Sequence, residues 1–426
     1  MGRHRRPPEK RVTYREVFAD GEFRRLWAAQ TLSSLGDQLA QVALAVLVYD
    51  RTQSPLLTAL TYALTYLPPI MGGPVLSGLA DHFPRRRVMV VSDVVRMGFM
   101  GVMALNGMPF WSLCVLIFLT ILMASPFSAA RAALLPDVLE GDKYVLGAAI
   151  TNITHQACQM IGFIAGGALV AFVGTREALI VNALTFLFSA LVLIGLKHRP
   201  APTHARTRLR LWGGTREGAK MVFGDRTLRS LVSFAWLCSF YTVPEGLAAP
   251  YGATFGDDPL YVGVLMAAMP TGMVAGSFVF SRFVRPMGRI KAMGWMSILA
   301  CAPLVLCGLD PGFPMTVLLW GLSGVGSAYQ VAANTAFVSA VPPEGRGRAF
   351  GLAQSGILAG QGLGILVGGA LAQVIGPQTV VALAGMAGLS TAAILSLVWT
   401  RVRGDVMGVV LAPSVPARKV TAPSSC

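Results

Sequence analysis

The sequence is short of charge, and acids are the scarcer sign. Only 13% of its 426 residues are charged, and 20 acids stand against 35 bases. A soluble domain is about a quarter charged. A chain this poor in charge, and 54% hydrophobic, is expected in a bilayer. No GxxxxGK[ST] loop occurs, which removes the commonest ATP cradle. No HExxH or CxxC set occurs, so neither a metal nor a cofactor is expected. No nucleophile elbow stands in a solvated domain, and an enzyme is not expected. The six cysteines are Cys114, Cys158, Cys238, Cys301, Cys307 and Cys426. Five lie inside apolar runs, so they read as small core residues and not as a disulfide framework. The opening stretch, MGRHRRPPEKRVTYREVFADGEFRRLW, lacks the apolar core and cleavage site of a signal peptide. The basic residues form short clusters between apolar runs, with no basic, aromatic-studded domain. Anionic lipid headgroups are therefore the expected partner, and nucleic acid is not.

What the chain has in abundance is long apolar runs. A span needs about 20 apolar residues. Twelve spans are expected, near 26–49, 56–80, 88–106, 109–130, 145–173, 177–196, 228–252, 260–283, 292–309, 314–338, 347–374 and 378–400. The fold class is an all-α membrane protein. Its parts are a basic arm (1–25), a first six-helix half (26–196), a linker (197–227), a second half (228–400) and a tail (401–426). Lys and Arg test the count, because short cytoplasmic loops collect them. The arm, the 84–87 loop, the 131–143 loop, the linker, the 282–291 loop, Arg346 with Arg348, and the tail carry the basic residues. The opposite loops hold only Arg51 and Arg176. Both termini are thus expected in the cytoplasm, in a plasma membrane, with the acids Asp50, Glu177, Asp257, Asp258 and Asp310 outside.

Two halves are also written as a repeat. GFIAGGALVAFVG from Gly162 matches GILVGGALAQVIG from Gly364, so Gly162, Gly166 and Gly167 correspond to Gly364, Gly368 and Gly369. Pro68 matches Pro270, and Arg87 matches Arg289, at the same offset. Small residues at such spacing let membrane helices approach closely. The repeat implies two pseudo-symmetric six-helix halves.

The stretch LSGLADHFPRRRVMV (76–90) interrupts this grease with one acid and three arginines. It resembles the signature loop between spans 2 and 3 of the major facilitator superfamily, Gly-x-x-x-Asp-(Arg)-x-Gly-Arg-Arg/Lys. Ser77 stands at the first glycine position with Gly78 beside it, His82 at the usual Arg and Pro84 at the usual Gly. Asp81, Arg85, Arg86 and Arg87 are kept. The resemblance implies halves that rock about a midplane site, with this loop, Asp93 and Arg96 locking them while the cavity faces outward. A plain orienting loop is the competing reading. The first span and the phrases PDVLEGDKYVLGAAITN, VPEGLAAPYG and VPPEGRGRAFG are similar to the drug- and siderophore-exporting, proton-antiporter branch. Phe163 replaces the proline of that branch's span-5 motif, so plain packing competes with an antiporter role there.

Polar residues inside spans are expected to face a cavity. Asn152, His155, Gln156 and Gln159 mark span 5, Gln41 span 1, Tyr329 and Asn334 span 10, and Gln354 and Gln361 span 11. Trp236 and Tyr241 offer aromatic walls for a flat substrate or serve in packing. Asp37 and Glu245 lie about 18 and 24 Å along their helices from Arg25 and Arg229, at about 1.5 Å per residue. A charge there costs at least about 2.5 kcal/mol. Both are expected to carry protons, with a structural acid as the alternative. Glu245, between Pro244 and Gly246, could also mark a helix break. The expectation is a monomeric, proton-coupled exporter of amphipathic small molecules. An uptake carrier or facilitator is the alternative within transport, and a non-transporting receptor or scaffold the alternative outside it.

Overall fold

A computed structural model describes residues 13–76, 82–199, 211–342 and 345–411. Those residues contain helices and connecting turns. Eight helices are long and apolar enough to cross a membrane. Span 1 is Gly21–Thr52, span 4 Phe110–Val138, span 5 Asp142–Val173 and span 6 Thr175–Ile194. In the second half, span 8 is Pro259–Phe283, span 9 Pro286–Val305 with a 3₁₀ turn to Leu309, span 11 Arg346–Ile375 and span 12 Pro377–Leu411. The remaining four spans are broken or charged. Span 2 is Pro55–Ala63 and Leu67–Leu76, and span 3, Arg85–Met103, opens on three arginines. Span 10 is Phe313–Ser327 and Tyr329–Ala340. Span 7 is four pieces, Arg226–Trp236, Cys238–Tyr241, Val243–Gly246 and Ala248–Gly252. Pro244 has no N–H to continue an α-helical ladder. The chain tightens there instead through bonds three residues apart, Glu245 N–H to Thr242 O at 3.1 Å and Leu247 N–H to Pro244 O at 3.0 Å.

Each half starts its first two spans with the same device. Asp20 caps span 1 through Glu22 and Phe23 N–H at 2.8 and 3.0 Å, and Asp225 caps span 7 through Thr227 and Leu228 N–H at 2.7 and 2.9 Å. Ser54 before Pro55 and Asp258 before Pro259 cap spans 2 and 8. Spans 5 and 11 both stop at a glycine with positive φ, Gly174 at 103° and Gly376 at 83°, where any side chain is strained.

Each glycine of the repeated motif has the same job in its half. A Cβ on Gly162 would stand 2.6 Å from Gln38 Cβ, and one on Gly166 3.1 Å from Leu39 Cα, both on span 1. Their counterparts Gly364 and Gly368 press on span 7, at Ser239 O (2.5 Å) and Val243 Cγ1 (2.7 Å). The third glycine of each motif faces the opposite half. Gly167 meets Gly263 of span 8 (2.9 Å to its Cα), and Gly369 meets Pro55 and Leu56 of span 2 (3.2 Å to Pro55 O). These contacts lie at the ends of spans 5, 8, 2 and 11 remote from the basic loops. The halves therefore close on the non-basic side.

Large apolar side chains point outward all round the bundle, among them Phe172 at 88% exposure, Trp111, Ile394 and Leu397. Water would penalise such a surface, and lipid does not. The helix Leu211–Gly224 in the linker docks on the second half. Glu217 pairs with Arg348 at 2.5 Å, and Phe223 stacks edge-on against Trp236.

Candidate functional site

Two cavity lobes open between the helices on the basic side, one in each half, and Asn152 lines both. The first-half lobe, of about 480 Å³, is polar. Gln30, Ser33, Ser34 and Asp37 come from span 1, Ser128 and Arg131 from span 4, and Tyr144, Asn152 and His155 from span 5. The second-half lobe, of about 490 Å³, sets Gln330, Asn334 and Gln354 among Leu231, Val232, Phe337, Phe350 and Ile357. One wall thus offers charge and hydroxyls, the other apolar surface with amides. Such a cavity suits a molecule with a polar end and an apolar body.

Asp37 is the one carboxylate among the described residues lining the two lobes. Its side chain is 28% exposed, and Arg96 Nη2 donates to both its oxygens, at 2.6 and 2.8 Å. Arg96 is almost wholly enclosed. Its Nη1 donates to Ser33 Oγ at 3.1 Å and stands 3.7 Å from Asp93 Oδ1, and its guanidinium lies 4.1 Å over the Phe186 ring. Asp93 is fully buried and accepts from Ser189 Oγ of span 6. Spans 1 and 6 come close enough for this because residue 36 is glycine: a Cβ there would collide with Asn182 and Thr185. Arg131 donates to Gln30 Oε1 at 2.7 Å and is not paired with any described carboxylate.

Of the two residues expected to act with the signature loop, Arg96 binds span 1 and Asp93 binds span 6. Arg131, expected in an inner loop, lies inside span 4, because that helix runs on to Val138. Ser77, Gly78 and Asp81 lie outside the described residues. The loop arginines bind their own half. Arg85 pairs with Asp137 and donates to Ala133 O at 2.8 Å, and Arg86 donates to Leu196 O at 3.0 Å. Arg87 is exposed.

Glu245 sits apart from both lobes, at the break in span 7. Tyr62 of span 2 donates its hydroxyl to it at 3.0 Å. With Ser54 donating to Gln373 at 2.8 Å, this bond joins the halves at their closed end. A hydrogen bond to a charged group is worth about 1.5–3 kcal/mol. Tyr62→Phe is therefore expected to raise labelling of a cysteine placed at the non-basic mouth by about tenfold or more. Unchanged labelling would show that the bond does not hold this end shut.

Other expected cavity residues serve elsewhere. Tyr241 and Tyr329 are buried between spans 7 and 10, where Tyr329 donates to Phe234 O at 2.8 Å and Gln330 donates to Tyr241. Trp236 donates to Ala353 O at 3.1 Å, over Gly356. Gln41, Gln156, Gln159 and Gln361 are half-buried and line neither lobe. Ser33, Ser189, Arg131 and Tyr62 gave no warning in sequence. Three are common small or aromatic residues, and Arg131 adjoined an expected helix end.

Comparison with known proteins agrees with this architecture. The family model described as Major Facilitator Superfamily matches residues 26–247 and again 241–409. The chain is similar to the multidrug efflux pump Tap of Mycobacterium tuberculosis, at 26% identity over 369 residues (82% of this chain, 86% of that one). It is similar to the macrolide efflux protein A of Streptococcus pyogenes, at 21% identity over 376 residues (83% and 90%). Among solved structures it resembles a bacterial homologue of the human lysosomal transporter Spinster, with a TM-score of 0.71 at 14% identity. That match covers 91% of this chain and 98% of the other, and shows the fold alone.

Proposed function

Because the chain belongs to the Major Facilitator Superfamily, and so is a multi-pass secondary transporter of a small molecule, we propose that it exports amphipathic compounds in exchange for protons. The observation that carries this reading is Asp37. It is the sole described carboxylate facing the lobes, and it is held by an arginine that a proton or a substrate cation can displace. Export is favoured by the efflux relatives, and the lobes open on the basic side. By the distribution of Lys and Arg, that side is the cytoplasm of a plasma membrane and holds both termini.

In the cycle, substrate enters from the cytoplasm and occupies both lobes, its polar end near Asp37. The halves rock about the midplane, the Gly167 and Gly369 contacts part, and the cavity meets the more acidic outside. A proton taken by Asp37 weakens its hold on a cationic or polar substrate, which leaves. Return to the inner side exposes Asp37 to the more alkaline cytoplasm, where the proton departs. Glu245, bonded to Tyr62 at the closing end, is the second candidate for the proton-carrying group. The loop of Asp81, Arg85, Arg86 and Arg87 latches the halves together while the cavity faces outward.

Cells lacking the protein are expected to retain ethidium, a planar organic cation. Cells expressing it should extrude the dye until a protonophore collapses the gradient. Equal retention in the two strains, or extrusion indifferent to the protonophore, contradicts the reading.

A further inference from the structure

Arg96 stands between two carboxylates but satisfies only one of them. Its bonds to Asp37 are 2.6 and 2.8 Å, while Asp93 Oδ1 lies 3.7 Å from Nη1. That oxygen is buried and accepts no hydrogen bond, and the Nε of Arg96 is likewise buried and unused. A buried carboxylate oxygen left without a hydrogen bond beside a guanidinium is costly, and a shift of roughly 1 Å would bring it to ordinary hydrogen-bond length. The surroundings permit that shift. The Phe186 ring centroid lies 4.1 Å from the guanidinium carbon, and a ring face makes no directional bond that would hold it in one place. Asp93 itself is held in place by Ser189. Asp93 and Arg96 are three residues apart on span 3, so they remain within reach however spans 1 and 3 move. Asp37 is on another helix and has no such guarantee.

We propose that Asp93 is the second resting place of the Arg96 guanidinium, and that its passage from Asp37 to Asp93 frees Asp37 for a proton or a substrate cation. Asp93 is then a positioning residue. It never meets substrate, and it acts by accepting the arginine that would otherwise keep Asp37 occupied. The inference rests on the reading of Asp37 as the exchanging carboxylate. The charged and polar groups around the pair are few. Span 1 contributes Asp37 and Ser33, span 6 contributes Ser189, and Arg131 of span 4 and His155 of span 5 face the lobe beyond Asp37.

The test uses the full chain in liposomes, with ethidium exchange measured at equal pH on both sides across a range of pH. Wild-type exchange should fall on acidification, as protons compete with the dye for Asp37. In Asp93→Asn, Arg96 has no alternative partner and stays on Asp37. Exchange at neutral pH should drop at least tenfold, and the acid fall should move about one pH unit further to acid. In an Arg96→Gln background, Asp93→Asn should add nothing. Ser189→Ala, which leaves Asp93 short of a partner and keener for Arg96, should move the fall the other way. An equal shift of the fall in both arginine backgrounds would mean that Asp93 acts through its charge alone, and would overturn the proposal. So would an Asp93→Asn profile that is unmoved, or one shifted to alkaline pH because Asp93 only props Arg96 against Asp37. A wild-type protein whose exchange ignores pH would remove the proton-coupled reading itself. A pH-sensitive wild type with an unaltered Asp93→Asn removes Asp93 alone.

Discussion

Asp37→Asn is expected to abolish accumulation of substrate driven by a pH gradient while leaving a downhill exchange that is slowed, as in the acidified wild type, and indifferent to pH. The amide keeps the shape of the carboxylate but cannot titrate. One proton exchanged across one pH unit is worth about 1.4 kcal/mol, a tenfold accumulation. The wild type should approach that ratio, and the variant should stop at equal concentrations. Breaking a buried ion pair by removing one partner typically costs about 3–5 kcal/mol. Here the cost should be smaller, because Arg96 has Asp93 3.7 Å away to receive it. The variant should therefore elute as the wild type does, at normal yield. A folded Asp37→Asn protein that still concentrates substrate tenfold per pH unit would remove Asp37 from the coupling role.

Gly167→Leu is expected to hold the protein open on its non-basic side. A Cβ at this position already stands 2.9 Å from Gly263 Cα, so a leucine cannot fit while spans 5 and 8 touch. The contact joins the two halves and not two helices of one half, so folding of each half should survive. Cysteines at the non-basic mouth should become labelled, those in the lobes should become protected, and transport should cease. Gly369→Leu should do the same through span 2, where Pro55 O is 3.2 Å from a Cβ. Gly166→Leu is expected to differ. It clashes with Leu39 and Val42 of span 1 inside one half, and should lower the yield of folded protein. If Gly167→Leu traffics and transports normally, the closed end drawn between Gly167 and Gly263 is not part of the cycle.

The bundle was legible in the sequence because its signals are long-range and redundant. Twelve apolar runs, basic residues gathered in alternate loops, and a glycine pattern repeated from Gly162 to Gly364 all point to one arrangement. The breaks in span 7 were legible only at Pro244 and Gly246. The partners at the site were much less so. Asp37 stood out as an acid deep in an apolar run, but nothing in one dimension says that Arg96 would turn toward it. Asp93, three residues away on the same span, keeps an ion pair with Arg96 at 3.7 Å, but tertiary packing gives Asp37 the shorter bonds. Gly36 makes that packing possible, and its role appears only when spans 1 and 6 are seen in contact. Arg131 was hidden by a boundary. An expected helix ending at 130 made it a loop cation, whereas the helix carries it into the lobe beside Gln30. Tyr241 and Tyr329 show the opposite error of expectation. Polar aromatic side chains in a span can bond inward, and these two bond within the second half.

Flux through purified protein in sealed, ATP-free liposomes decides whether the protein exchanges protons for an amphipathic compound. An imposed pH gradient should drive ethidium toward the acidic compartment, to about tenfold per pH unit. Reversing the gradient should reverse the flux, and each dye molecule moved should be matched by protons moving the other way. Ethidium that moves toward the alkaline compartment, or equilibrates at the same ratio whatever the gradient, would contradict proton exchange and leave a symporter or a facilitator in its place.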